Sequence, residues 1–147
     1  MSGPNAGLWP QLLTVPIGTQ AATISLPAAY FRKHGKLKAV RLVDQAGVAA
    51  DNTNFLTVTL QDSGATPKVY ASYDSRAANQ GALTALVSKL MTLGGGTVLG
   101  STAGATATVV ASGEVDVPAA SNMILLVTVG GTGAFTKALL QLEFYPL

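Results

Sequence analysis

The feature that most constrains this chain is a series of short runs in which apolar and polar residues alternate. The clearest run, residues 55–61, reads Phe-Leu-Thr-Val-Thr-Leu-Gln and places Leu56, Val58 and Leu60 on one face. A period of two is typical of a β-strand that has one face in a core. Seven or so further runs are separated by turn residues at intervals of about ten residues, the spacing of an antiparallel sandwich.

One segment has a different period. Leu83, Leu86, Val87 and Leu90 fall at i, i+3, i+4 and i+7, and three glycines follow at 94–96. This spacing predicts a short helix over residues 81–93 with a glycine at its C-terminal end. The predicted fold is therefore all-β, an antiparallel two-sheet sandwich of jelly-roll or related Greek-key type with one short helix.

The first ten residues lack any periodicity. They combine glycine, proline and asparagine with one apolar side chain, Trp9, and we expect residues 1–10 to form a flexible N-terminal arm. Residues 11–147 are predicted to form a single β-sandwich domain. The N-terminal residues lack the pattern of a secretory signal, and no apolar run approaches the ~20 residues that span a bilayer. We expect assembly in a cytoplasm.

The charge content is low for a soluble monomer. Charged residues make up 11% of the chain and hydrophobic residues 48%, whereas roughly a quarter of an average globular protein is charged. Burial of much of the surface against copies of the chain or a larger partner would explain the deficit. The alternative is that Thr, Ser, Asn, Gln and Gly supply enough uncharged polarity. The absence of cysteine excludes disulfides and thiolate metal sites.

No pattern in the sequence predicts catalysis. The only histidine, His34, is surrounded by cations and has no carboxylate nearby in sequence to orient it. Glu114 and Asp116 leave the same face of a predicted strand, as in a glycosidase pair or one side of a calcium site, but a solvated strand face is the simpler interpretation. Asx turns account for the loop aspartates, and the glycine-rich segments read as turns. We predict no catalytic, cofactor or metal residue and no enzyme activity.

A basic cluster is the one asymmetric feature of the predicted surface. It contains five of the nine cations and no acidic residue in its stretch of sequence, namely Arg32, Lys33, Lys36, Lys38 and Arg41. Two interpretations stay open: a docking surface for an acidic partner, or lysines that protect an edge strand from aggregation. A net charge of +2 and few aromatic residues argue against nucleic acid, and we expect no membrane partner. Trp9 is the candidate apolar contact.

Four segments together resemble the small structural proteins of tailed bacteriophages. They are residues 38–47, residues 54–61, residues 127–134 and a last amphipathic strand that ends in Pro146 and Leu147. The chain most resembles capsid decoration, or cement, proteins with a jelly-roll body. The resemblance implies a homotrimer on the exterior of the virion that locks neighbouring major capsid protein subunits together. It also implies an N-terminal segment that reaches onto the shell, and no cofactor.

Two other functions are compatible with the same fold. A carbohydrate-binding jelly-roll module of a phage fibre or tail is the first, although only 6% of residues are aromatic and Trp9 lies outside the predicted sandwich. A hydrolase that uses Glu114 or the loop aspartates is the second, and the small number of acidic residues argues against it.

Overall fold

The computed structural model describes residues 10–65, 67–94 and 115–147. Within these ranges the chain forms ten strands in two antiparallel sheets, and the sequence-based prediction of an all-β fold with two antiparallel sheets is confirmed. The strands are β1 (Gln11–Gln20), β2 (Ile24–Phe31), β3 (Gly35–Asp44), β4 (Leu56–Asp62), β5 (Val69–Asp74), β6 (Lys89–Leu90), β7 (Thr92–Leu93), β8 (Val115–Val117), β9 (Ser121–Val129) and β10 (Phe135–Pro146).

Strands β1 to β4 alternate between the two sheets, whereas β4, β5, β7 and β9 all lie in one of them. Sheet I has the order β1-β10-β3-β6, with β8 also paired to β3, and sheet II has the order β2-β9-β4-β5-β7. The last two described strands, β9 and β10, therefore each lie inside a sheet, with a strand on both sides. β10 pairs with β1 on one side, where Leu13 faces Leu142, and with β3 on the other, where Leu142 faces Val40.

The core lies between the two sheets and follows from the alternation of the sequence. Leu56, Val58 and Leu60 of β4 are fully buried, as their common face requires. Leu140 and Leu142 of β10 meet them from sheet I, and Gln141 and Glu143 point outward between them. Each inward leucine or valine removes apolar surface from water, which is the main force that holds two sheets together.

The predicted helix over residues 81–93 is wrong, since none of the described residues is helical. Segments distant in sequence take the backbone bonds that a helix would need: Leu83 N donates to Val48 O at 2.9 Å in an isolated β-bridge, and Met91 N donates to Val40 O of β3 at 2.8 Å. Leu86 has a positive φ of 58°, which interrupts any helix. Leu83 is buried, but Leu86, Val87 and Leu90 are exposed, so the helical spacing of these residues does not mark a core face.

Some of the predicted features lie outside the described residues. They are the N-terminal arm apart from Pro10, the candidate contact Trp9, and Glu114. Among the residues that the structure covers, no helix is long and apolar enough to cross a membrane.

Candidate docking surface

The basic cluster extends from the turn between β2 and β3 to Arg41, beyond the middle of β3. Arg32 and Lys33 occupy the exposed turn between β2 and β3, while Lys36, Lys38 and Arg41 lie along β3. A register shift in the β3–β10 ladder, between Glu143 and Phe144, accounts for the change in spacing from Lys38 to Arg41. The structure thus brings all five cations to one region, which we call the basic face.

Acidic residues from other strands join the basic face, although none occurs in its own stretch of sequence. Lys36 Nζ lies 3.0 Å from Asp116 Oδ1 of β8, and His34 Nε2 lies 3.6 Å from the same oxygen. Lys36, by its hydrogen bond and its charge, holds the pKa of the Asp116 carboxyl below its ordinary value, and the nearby His34 adds to this effect. His34 therefore does have a carboxylate beside it, supplied by strand pairing across 82 positions of sequence, which no local pattern reveals.

The middle of the basic face is organised around β10. Arg41 Nη1 lies 3.7 Å from Glu143 Oε2, and the hydroxyl of Tyr145 donates to Glu143 Oε1 at 3.0 Å. Lys38 Nζ lies 4.7 Å from the centre of the Tyr145 ring, within the range of a cation–π contact. These contacts hold the cations in place, while solvent keeps the energy of each exposed pair small.

A small cleft opens beside the turn that carries Arg32 and Lys33. It has a volume of about 280 Å³, and Tyr30, Phe31, Phe144 and Pro146 form much of its wall. Beneath it the rings of Phe31 and Phe144 pack with their centroids 4.3 Å apart, which fixes the base of the turn on the core. The cleft places two cations next to exposed apolar surface.

Sheet I also has an apolar groove at the end opposite the turn. Its volume is about 510 Å³, and it is formed mainly by Pro16, Val43, Leu86, Ala138 and Leu139, with Lys137 and Gln45 at its margin. Val43 and Leu139 are cross-strand partners, two positions along the ladder from Arg41 and Gln141. The groove is therefore continuous with the basic face along β3 and β10.

The loop aspartates act mainly through the backbone. Asp51 Oδ1 accepts a hydrogen bond from Thr53 N at 2.7 Å and Asp62 Oδ1 accepts one from Gly64 N at 3.1 Å, which confirms the Asx turns predicted there. Asp44 differs, because its Oδ1 accepts from Thr136 N and Lys137 N of β10 at 3.0 and 2.9 Å. It joins the end of β3 to the start of β10.

The most elaborate polar cluster is buried, and sequence reasoning missed most of it. Asp74 is fully buried and forms an ion pair with Arg76, which is 1% exposed and lies 4.5 Å from the ring of Phe55. Asn79 Nδ2 donates to Asp74 Oδ2 at 2.7 Å. The predicted Asx turn is present, since Arg76 N donates to Asp74 Oδ1 at 2.9 Å. The spacing Asp-x-Arg after an apolar strand was the available signal for the ion pair.

This buried cluster has the donors and acceptors of a structural network. Asp74 is surrounded by donors that satisfy it, and Ser75 Oγ accepts a bond from Leu56 N at 2.9 Å. Among the described residues, no group of three or more His, Cys, Asp or Glu side chains is arranged to hold a metal ion. The network ties the loop after β5 to the start of β4.

Comparison with models of protein families gives no match, and neither does comparison with curated proteins. A search of solved structures found similarity to a chain in the structure of infectious bursal disease virus, Gx strain, with a TM-score of 0.38 and 12% sequence identity. The alignment covers 92% of this chain and 32% of the viral one.

Proposed function

We propose that this chain is a non-enzymatic structural protein of a bacteriophage virion, which binds the outside of the capsid and stabilises it by bridging major capsid subunits. The observation that carries the proposal is the surface of sheet I, where the basic face and the apolar groove are continuous. Charge steers and orients a partner, whereas apolar side chains supply most of the binding energy. The resemblance of the sequence to decoration proteins favours a capsid as that partner.

The strand order supports a jelly-roll body. Eight of the ten described strands, in the orders β1-β10-β3-β6 and β2-β9-β4-β5, follow the crossing connections of a double Greek key, and the short strands β8 and β7 extend the two sheets to five strands each. Because one fold hosts many functions, the strand order supports only the architecture, and the proposed function rests on the surface of sheet I. The proposal includes a homotrimer, as the low charge content and the resemblance suggest.

The test is to add purified protein to undecorated capsids from its own source, and to measure occupancy and the temperature at which the shells open. Wild type is expected to bind and to raise that temperature. Leu86→Asp should lower occupancy strongly, because it places a charge in the apolar groove. Leu86 is 75% exposed, so the fold tolerates the change, and the positive φ at this position suits Asp.

Val87→Asp is the matched control, since Val87 is also exposed but lies outside the lining of the groove. Arg32→Gln should weaken binding most at low salt, and Lys89→Gln, which removes one positive charge at the β6 edge of sheet I, should not. Deletion of residues 1–10 should weaken binding more than reversal of Lys36 and Lys38. Trp9→Ala is expected to cost about 2 kcal/mol or more as an interface hot spot.

A wild-type protein that neither binds nor stabilises these capsids would overturn the proposal. A protein that instead binds an oligosaccharide would support the carbohydrate-binding alternative. Tyr30, which is 56% exposed beside Asn122, is the side chain on which a sugar ring would stack.

A further inference from the structure

The outer surface of sheet II differs in chemistry from that of sheet I. β2 and β9 contain no charged residue, and the five strands of sheet II contain only Asp62, at the end of β4, and the buried Asp74. Sheet I carries eight charged residues on its strands: Lys36, Lys38, Arg41, Asp44, Lys89, Asp116, Lys137 and Glu143. The strands of sheet II therefore carry far fewer charged residues than the strands of sheet I.

The outward side chains of β2 and β9 form a continuous surface, which we call the neutral face. Three cross-strand pairs build it: Ser25 with Leu126, Pro27 with Ile124, and Tyr30 with Asn122. Ser25, Pro27, Tyr30 and Asn122 are exposed, and Ile124 and Leu126 are half-buried. A shallow depression of about 480 Å³ lies over the register shift between Pro27 and Ala29.

One edge of the neutral face has no strand beside it within residues 10–65, 67–94 and 115–147. β2 pairs with β9 on one side and ends the strand order of sheet II on the other. Pro27 has no backbone N–H to donate. Its place in the β2–β9 ladder needs no donor, and on the free edge of β2 one N–H donor is therefore missing. This gap disfavours open-ended strand pairing at the β2 edge.

We infer that copies of this chain associate through the neutral face. When a charged surface packs against its own copy, like charges can come into contact, or a charge can be buried without a partner. Both cost free energy. A surface without charges meets a copy in any orientation at no such cost. The composition fits as well, because interface cores are depleted in Lys, Glu and Asp and enriched in Tyr.

The size of the neutral face predicts a weak contact. A nine-residue strand is about 30 Å long and two strands side by side are about 10 Å wide, which gives about 300 Å² per copy. Two copies would then bury about 600 Å², less than the ~1,200 Å² of the smallest stable interfaces. Association is expected at high protein concentration, or where a shell holds copies close together.

The experiment is sedimentation velocity of the purified full chain without capsids, up to about 1 mM, where even weak association is populated. This inference rests on the homo-oligomer in the proposed function. Because the experiment contains no capsid, its failure can be distinguished from a failure of capsid docking. Wild type is expected to self-associate. Ile124→Lys should raise the dissociation constant about tenfold or more, which corresponds to the loss of a single well-packed contact.

Val87→Lys is the matched control, because Val87 is an exposed aliphatic residue that lies outside the neutral face and outside the lining of the apolar groove. It should leave the dissociation constant unchanged, and circular dichroism of both variants checks that they fold. A wild type that stays monomeric at the highest concentration overturns the inference. So does association that Ile124→Lys leaves intact, or that Val87→Lys weakens equally.

Discussion

At the scale of single residues, the buried pair of Asp74 and Arg76 is the most consequential feature. A buried ion pair stabilises little relative to apolar residues, but removal of one partner leaves a charge that is out of water and uncompensated. We therefore expect Asp74→Ala to lower the free energy of unfolding by about 3–5 kcal/mol. Urea denaturation followed by circular dichroism measures the change.

Asp62→Ala provides the comparison for Asp74→Ala. Asp62 is only half-buried and caps a turn by one bond to Gly64 N, so its removal should cost about 0.5–1.5 kcal/mol, the usual net value of one hydrogen bond. Equal losses for the two variants would show that Arg76 finds solvent or another partner when Asp74 is absent.

A second residue-scale prediction concerns alkaline pH. Burial raises the pKa of Tyr73 far above its ordinary value of 10.0, the nearby charge of Asp74 raises it further, and the hydroxyl donates to Gly81 O at 2.8 Å. Above pH 10 the unfolded chain releases this proton while the folded chain retains it. The stability contributed by the neutral phenol is therefore complete below pH 10 and declines as pH rises beyond that.

Absorbance at 295 nm, compared with unfolding monitored by circular dichroism, tests this expectation. Tyr73 should ionise only when the protein unfolds. Tyr73→Phe should make unfolding less dependent on pH above 10, at the expense of the bond to Gly81. Identical pH dependence in the variant and the wild type would contradict the assignment.

At the scale of elements, the loop from Gln45 to Asn54 is packed against the segment that follows Gly81. Gly47 has a φ of 77°, and a Cβ there would lie 2.5 Å from Leu83 O and 2.8 Å from Ala85 N. Gly81 has a similar φ of 70°, but nothing lies within 4 Å of its Cβ position. Substitution of Gly81 therefore tests backbone strain alone, whereas substitution of Gly47 tests backbone strain together with steric overlap.

Gly81→Ala should cost about 1–2 kcal/mol from the left-handed conformation alone. Gly47→Ala should cost about 1–3 kcal/mol more, because the loop must move away from Leu83 and Ala85. Chemical denaturation of both variants gives the difference directly. Equal costs would mean that the loop shifts without penalty.

The strands were predictable from the sequence, whereas the conformation of the segment 81–93 was not. Leu56, Val58 and Leu60 alternate because each strand residue faces either core or solvent, and that rule is local. Leu86 is held by backbone contact with a distant strand, as its N donates to Asp44 O at 2.9 Å. Tertiary contact overrides a helical pattern of four residues, and nothing in that pattern reveals it.

At the scale of the whole molecule, the candidate site depends on both local and distant sequence. The five cations lie close together because they are near one another in sequence, so the basic cluster was predictable. Asp116 and Glu143 come from strands β8 and β10, and the apolar groove combines β1, β3, β10 and the segment near Leu86. The groove was not predictable, because strand order brings its residues together.

The separation of charge between the two faces has the same origin. Because the strand order pairs β2 with β9 in sheet II and places β3 in sheet I, the two uncharged strands are neighbours and the basic β3 lies in the opposite sheet. Composition alone indicated a deficit of charge but not its location.

The position of β9 and β10 also governs the timing of folding. Both central strands follow the other described strands in the sequence, so there is an interval during synthesis in which the earlier strands are present and neither sheet can be completed. During that interval β1 and β3, and likewise β2 and β4, wait without the strand that separates them in the finished sheet. Pairings across so much of the chain form slowly. The nascent chain thus has to tolerate its own unpaired apolar strands in a crowded cell before it can close.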